Sequence, residues 1–130
     1  MCRADGADSW PEFSTYEMRK AIKKHKCEEC GRDINPGESY AYEALKFEGE
    51  FYQHKTCQHC LVPIDWLKIN CGGYIFGEVC DEIKEHAEEY SKLALPLMRL
   101  VVGMKRRWRK FNGEGLMTIP QQAPGITSTM

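Results

Sequence analysis

Two cysteine pairs, Cys27-Glu28-Glu29-Cys30 and Cys57-Gln58-His59-Cys60, stand 26 residues apart. Each pair sets two sulfurs on one tight turn, and together they offer four soft ligands. Zn²⁺ accepts four thiolates in a tetrahedron and imposes no geometry of its own, so the spacing predicts one zinc ion held by Cys27, Cys30, Cys57 and Cys60. Four protein ligands leave no open position for water or substrate, which makes the expected role structural. A redox dithiol would need only one such pair, in a βαβ setting. His54, three residues before Cys57, competes for a place in a Cys₃His set; its other reading is an orienting hydrogen bond. His25 and His59 flank ligands and are expected to face solvent. Cys71, Cys80 and His86 lack a fourth ligand and read as core residues, the two cysteines as buried thiols.

Catalytic constellations are missing from the sequence. There is no Ser/His/Asp set, phosphate-binding glycine loop or His-x-Glu deaminase motif. A His-Asn-His nuclease needs one histidine on a hairpin and another on the helix after it, and residues 61–69 contain none. The expected class is a binding module that is not an enzyme.

Elements must bring the two pairs together. Asn35-Pro36-Gly37-Glu38 is a turn signal. Ser39 to Phe47 alternates in part and reads as a strand, with Glu48-Gly49-Glu50 turning the chain into a partner strand at Phe51-Tyr52-Gln53. Leu61 to Ile69 reads as a helix, with Pro63 tolerated in its first turn. Knuckle, hairpin and helix in this order form a treble clef, in which the helix N-terminus favours thiolate charge. The fold class expected is α+β: a small treble-clef zinc module with flanking N-terminal and C-terminal helices.

The flanking helices are read from capping and periodicity. Ser14 with Glu17 suggests a capping box for a basic helix from Ser14 to His25, with Tyr16, Met18 and Ile22 on one side. Val79, Ile83, Ala87 and Tyr90 form a buried stripe of a helix from Glu78 to Lys92, whose solvated face carries Glu82, Glu85, Glu88 and Glu89. After Pro96, Leu97, Leu100, Val101, Met104, Trp108 and Phe111 keep helical spacing, and basic residues fill much of the rest. This divides the chain into a zinc domain over 1–92, a basic amphipathic helix over 93–112 and a disordered Gly/Pro/Ser/Thr-rich tail over 113–130.

Of the 130 residues, 42% are hydrophobic and 28% charged, as in ordinary globular proteins. No apolar run reaches membrane-spanning length, and Met1 to Gly6 is polar, unlike a secretory signal. The odd count of seven cysteines, four of them in metal-ligand pairs, suggests a reducing, cytoplasmic setting. The net charge of −1 conceals an asymmetry. Residues 1–90 hold 11 Lys/Arg against 18 Asp/Glu, whereas residues 91–130 hold 7 against one, Glu114.

The stretch Cys27-x-x-Cys30-Gly31-Arg32, then Ile34-Asn35-Pro36-Gly37-Glu38-x-Tyr40, then Lys55-Thr56-Cys57-x-x-Cys60, resembles small treble-clef zinc proteins of tailed phages and prophages. Met1-Cys2, Lys24-His25-Lys26-Cys27 and Gly72-Gly73-Tyr74-Ile75-Phe76-Gly77 belong to the same resemblance, which covers about residues 1–90. It implies a phage-encoded zinc protein of the host cytoplasm and brings no established activity with it.

Two partner classes follow. Lys105, Arg106, Arg107, Arg109 and Lys110 suit phosphates, with Trp108 stacking on a base, and point to nucleic acid or a nucleic-acid-processing complex. The acidic first 90 residues instead suit a host protein, as an inhibitor or adaptor. The apolar stripe of residues 97–111 offers a homodimer face, or else a surface that docks on the chain's own body.

Overall fold

The computed structural model describes residues 13–110 and 115–125. Expectations for Cys2 and for residues 111–114 and 126–130 lie outside that set. Among the described residues the architecture is α+β: two small antiparallel sheets, three α-helices and a cluster of four cysteines. No helix is long and apolar enough to cross a membrane among the described residues.

The larger sheet is built from β1 (Phe13–Lys20), β4 (Ser39–Phe47) and β5 (Glu50–Cys57), in the order β1-β4-β5. The β4–β5 hairpin pairs Phe47 with Glu50 at its tip and Tyr40 with Cys57 at its base. Glu48 and Gly49 both have positive φ at that tip, as a two-residue hairpin loop requires. The smaller sheet pairs β2 (His25–Lys26) with β3 (Asp33–Ile34), and the first cysteine pair lies in the loop between them.

β1 replaces the helix expected from Ser14 to His25. The strand pairs Phe13 with Lys46 through Lys20 with Ser39. Its side chains from Ser14 to Lys20 are exposed, and Ile22, counted toward an apolar helix face, is 93% exposed. A helix here would have had too little apolar surface to bury, whereas β4 offers a full row of backbone partners. Alternation also serves the strand: Glu17 and Arg19, two residues apart on one face, form an ion pair, and the Arg19 guanidinium lies 3.7 Å over the Tyr42 ring.

Three helices follow: α1 (Gln58–Cys71), α2 (Val79–Glu89) and, after a short 3₁₀ turn at Ser91–Leu93, α3 (Ala94–Lys105). α1 starts three residues earlier than expected and stops at Gly72, whose φ of 76° suits a C-cap glycine. Pro63 is therefore beyond the first turn, and His59's carbonyl lacks the helical N–H it would otherwise receive. α2 buries Val79, Ile83 and Ala87, as the stripe predicted. It also buries Glu82, expected on the solvated face; Glu82 Oε2 accepts the Ile75 N–H at 2.9 Å.

α3 ends at Lys105, short of the helix expected to reach residue 112. Its apolar stripe, Leu97, Leu100, Val101 and Met104, is buried in the chain's own core with Trp66, Ile64 and Leu67. That packing occupies the face offered above for a homodimer. Residues 115–125, expected in a disordered tail, run along the domain. Leu116 bridges Arg109, Ala123 is buried, and Trp66 Nε1 donates to the Pro124 carbonyl at 2.8 Å.

Candidate metal centre

The hairpin base and the start of α1 carry Cys57 and Cys60 to the β2–β3 loop, which carries Cys27 and Cys30. The four sulfurs all lie within 4.8 Å of one another. A zinc–sulfur bond of about 2.3 Å puts the sulfurs of a tetrahedron about 3.8 Å apart, and Cys30 and Cys57 Sγ are 3.9 Å apart. None of the four is in a disulfide. Cys27, Cys57 and Cys60 are buried, and Cys30 is partly so. The donor set, spacing and burial thus fit one metal ion.

The electrostatics point the same way. Hydrogen bonds from the neighbouring thiols hold Cys27 far below the ordinary thiol range. Hydrogen bonding to Cys27 and the other two sulfurs, together with burial, pushes Cys60 up. Four sulfurs this close do not all ionise on their own charge, and a bound dication removes that conflict. Backbone and side-chain donors add to the stabilisation. The Cys57 N–H donates to Cys27 Sγ at 3.4 Å, and the Trp108 indole N–H donates to Cys60 Sγ at 3.2 Å. The N-terminus of α1 adds its dipole at Cys60.

Trp108 therefore faces the cysteine cluster, where stacking on a base was expected. It is 1% exposed, so its ring does not reach a ligand in solvent. The reversal comes from the turn after α3, where Arg107 and Trp108 have φ of 55° and 59°. The Trp108 N–H reaches back to the Gly103 carbonyl at 2.7 Å. A Cβ at Gly103 would stand 2.2 Å from the indole, so this glycine is a notch for the ring.

Two networks brace the cysteine loops. In the first, Arg32, 6% exposed, pairs with Glu38 through two bonds of 2.8 and 3.2 Å. Glu38 also accepts the Asn35 N–H at 2.8 Å; the hydrogen bond from Arg32 holds its carboxyl below the ordinary range. Arg32 Nη2 approaches His59 Nδ1 at 3.4 Å, and His59 Nε2 donates to the Met117 carbonyl at 2.6 Å. His59 is thus buried and neutral, its pKa lowered by burial, where a solvent-facing ring was expected.

In the second network, Glu29, between the first two cysteines, is sealed from solvent. Its carboxylate accepts the N–H groups of Gly77 (2.7 Å) and Val79 (3.2 Å) at the start of α2, and a proton from His54 Nε2 at 2.9 Å. His54 stacks on Phe76 at 4.4 Å. This geometry gives His54 the orienting role over the ligand role. Burial alone would lower its pKa, but the Glu29 hydrogen bond and the carboxylates around it outweigh burial, and the net shift is upward.

Arg32, Glu38, Glu29 and His59 were not singled out as a site in the sequence. Their signal lies inside the motifs: Glu38 ends the Pro-Gly-Glu turn, and Arg32 follows Gly31. Cys71 and Cys80 stay out of the cluster. Cys71 is disulfide-bonded, against the expected buried thiol, and its sulfur lies 3.4 Å from His86 Nε2. Cys80 is a half-buried free thiol.

Of the basic run, Lys105, Arg107, Arg109 and Lys110 are exposed and Arg106 is half-buried. The fold and centre define the class: a small metal-binding module of four cysteines. No family model, curated protein or solved structure matches the chain.

Proposed function

We propose that the chain is a treble-clef module with one structural zinc, and that it binds nucleic acid, or a complex that processes it, without catalysis. One observation carries the reading. The cluster gathers four cysteine sulfurs within 4.8 Å, and the basic turn 105–110 is fastened to it through the Trp108–Cys60 hydrogen bond. Such a metal folds and holds a surface; with four protein ligands it has no position for substrate. The surface it holds is cationic, which suits phosphate. The resemblance to tailed-phage zinc proteins supports a phage origin and a place in the host cytoplasm.

Labelled single-stranded DNA and RNA, titrated with zinc-loaded protein across a salt series, test the reading. The expected result is an affinity that falls linearly with salt on logarithmic axes. Absence of binding at near-physiological salt to either strand would overturn it.

A second reading, a host-protein inhibitor or adaptor, is favoured by the sheet. Tyr16, Met18 and Tyr52 share one face by the strand register and are each about half exposed. Half-exposed aromatic and methionine side chains are the residues that interfaces enrich.

A further inference from the structure

Residues 105–110 divide between two tasks. Arg106 folds back on the turn, its Nε and Nη2 donating to the carbonyls of Arg109 at 3.3 Å and Lys110 at 2.9 Å. Trp108 is sealed against the cysteines. The alternate residues, Arg107 and Arg109, line a cavity of about 380 Å³, which Lys26 of β2 joins from the opposite end of the sequence.

The cavity's charge is one-sided. Among the described residues, Lys26, Arg107 and Arg109 face one carboxylate, Asp33, and Asp33 has Lys24 3.9 Å away. Arg32 also forms part of the wall, but its guanidinium is engaged by Glu38 and stands between the cavity and the cysteine sulfurs. Among the described lining residues Leu116 is the one apolar side chain, so the space is not built for a hydrophobic group.

Backbone geometry is committed to this arrangement. Arg107 and Trp108 hold left-handed conformations that side-chain-bearing residues seldom adopt. That double reversal buries the indole and turns the two neighbouring arginines to the cavity. Gly31, directly after Cys30, has φ of 81°, and a Cβ on it would touch Arg107 Nε at 3.7 Å. The metal loop is thus one wall of the cavity.

We infer that this cavity is a phosphate-binding pocket, in which Arg107 and Arg109 engage the phosphate oxygens and Lys26 supplies the third positive charge. Guanidinium forks match phosphate bidentately, and an ammonium adds a point charge. The volume exceeds what one phosphate fills and leaves room for an attached sugar. The inference deepens the nucleic-acid reading and rests on it only for the source of the phosphate.

The test uses the zinc-loaded full chain as wild type, as R107Q/R109Q, and as the charge-matched control K84Q/K92Q on exposed positions away from the cavity. Zinc content and the Trp108 indole N–H resonance, unchanged in both variants, are the check that the fold is kept. Inorganic pyrophosphate is followed through the Gly31 amide resonance, and labelled single-stranded DNA and RNA through anisotropy. The expected result is a saturable Gly31 shift in wild type and control that R107Q/R109Q lacks. For oligonucleotides, R107Q/R109Q is expected to lose about tenfold or more in affinity and about 1.4 units of salt slope, about 0.7 for each phosphate contact on a single strand. If R107Q/R109Q matches the control with both probes, the pocket is overturned while the nucleic-acid reading stands. If pyrophosphate binds through Arg107 and Arg109 but no oligonucleotide does, the pocket stands and the nucleic-acid reading falls. If wild type takes neither probe, both fall.

Discussion

Trp108 shows how one residue changes role once its neighbours are placed. In the sequence it interrupts a basic run, and an indole among arginines suggests a stacking platform. In the fold, the indole N–H points at Cys60 Sγ and the ring lies against His59. A hydrogen bond to a charged acceptor contributes about 1.5–3 kcal/mol. Trp108→Phe keeps one aromatic ring but removes the donor and leaves a void where the pyrrole sat, so it is expected to destabilise the zinc-bound fold by at least about that amount. Chelator competition and a denaturant melt on the same variant would read it, and an unchanged zinc affinity would show that the bond contributes nothing. His54 carries a second prediction. Its folded pKa is raised above the unfolded value of about 6.5. Its contribution is therefore complete below about pH 6.5 and is lost as pH rises through the folded value. The stability difference between wild type and His54→Gln should shrink steadily from pH 6 to 9, a window above that in which protons displace thiolate-bound metal. A difference that is flat or grows across that window would contradict the assigned sign.

Elements differ in how far the sequence determines them alone. Ser39–Phe47 was legible, because its alternation and the Glu48-Gly49 turn are local signals. α2 was legible from its buried stripe. The N-terminal segment was not. Its capping residues describe a helix, but β1 exists because β4 offers a strand edge, and that edge is set by distant residues. The end of α3 was missed for a related reason. Basic and apolar residues continue in helical spacing to Phe111, and only the pull of Trp108 toward Cys60 reverses the chain after Lys105. Gly103 is where this competition can be measured. Replacing an interior helix glycine with alanine ordinarily stabilises by about 0.5–1 kcal/mol. Here the new Cβ would stand 2.2 Å from the indole, and overpacking of that kind costs about 1–3 kcal/mol. Steric cost wins, so Gly103→Ala is expected to lower the denaturation midpoint and, in a variant with Trp10 and Trp66 replaced by Phe as background, to shift the emission of Trp108 to longer wavelength. A stabilised variant with unshifted emission would show that the helix, not the indole, sets the local geometry.

At the scale of the whole molecule, the cysteine cluster joins parts that have little else in common. Cys27 and Cys30 belong to the loop that joins the strands of the small sheet, Cys57 to the end of the large sheet, and Cys60 to α1. Trp108 ties α3 to the same point, Glu29 ties in α2, and His59 ties in the segment at Met117. The clustering of the four cysteines was legible because their spacing is a local property of two turns. The second layer was not, because Arg32 to His59 and Glu29 to Val79 are pairings that only the folded chain creates. This convergence predicts how the protein fails. If the metal merely decorated a self-sufficient core, its removal would cost local order around Cys30 and leave the melt cooperative. The core offers grounds for that view, since Trp66, Ile64, Leu67, Ile83 and Leu97 are fully buried without touching a ligand role. Against it, four thiols packed within 4.8 Å carry an electrostatic conflict that only a cation relieves, and every element except β1 and the 3₁₀ turn is anchored within one or two contacts of them. Structural zinc in small modules contributes about 10–16 kcal/mol of apparent binding energy near neutral pH, comparable to or larger than the 5–15 kcal/mol by which domains are stable at all. Stoichiometric chelation, or Cys30→Ser, is therefore expected to abolish the cooperative transition and broaden the amide spectrum across all three helices. A cooperative melt that survives complete zinc removal would place the stability in the helical core and reduce the metal to a local clip.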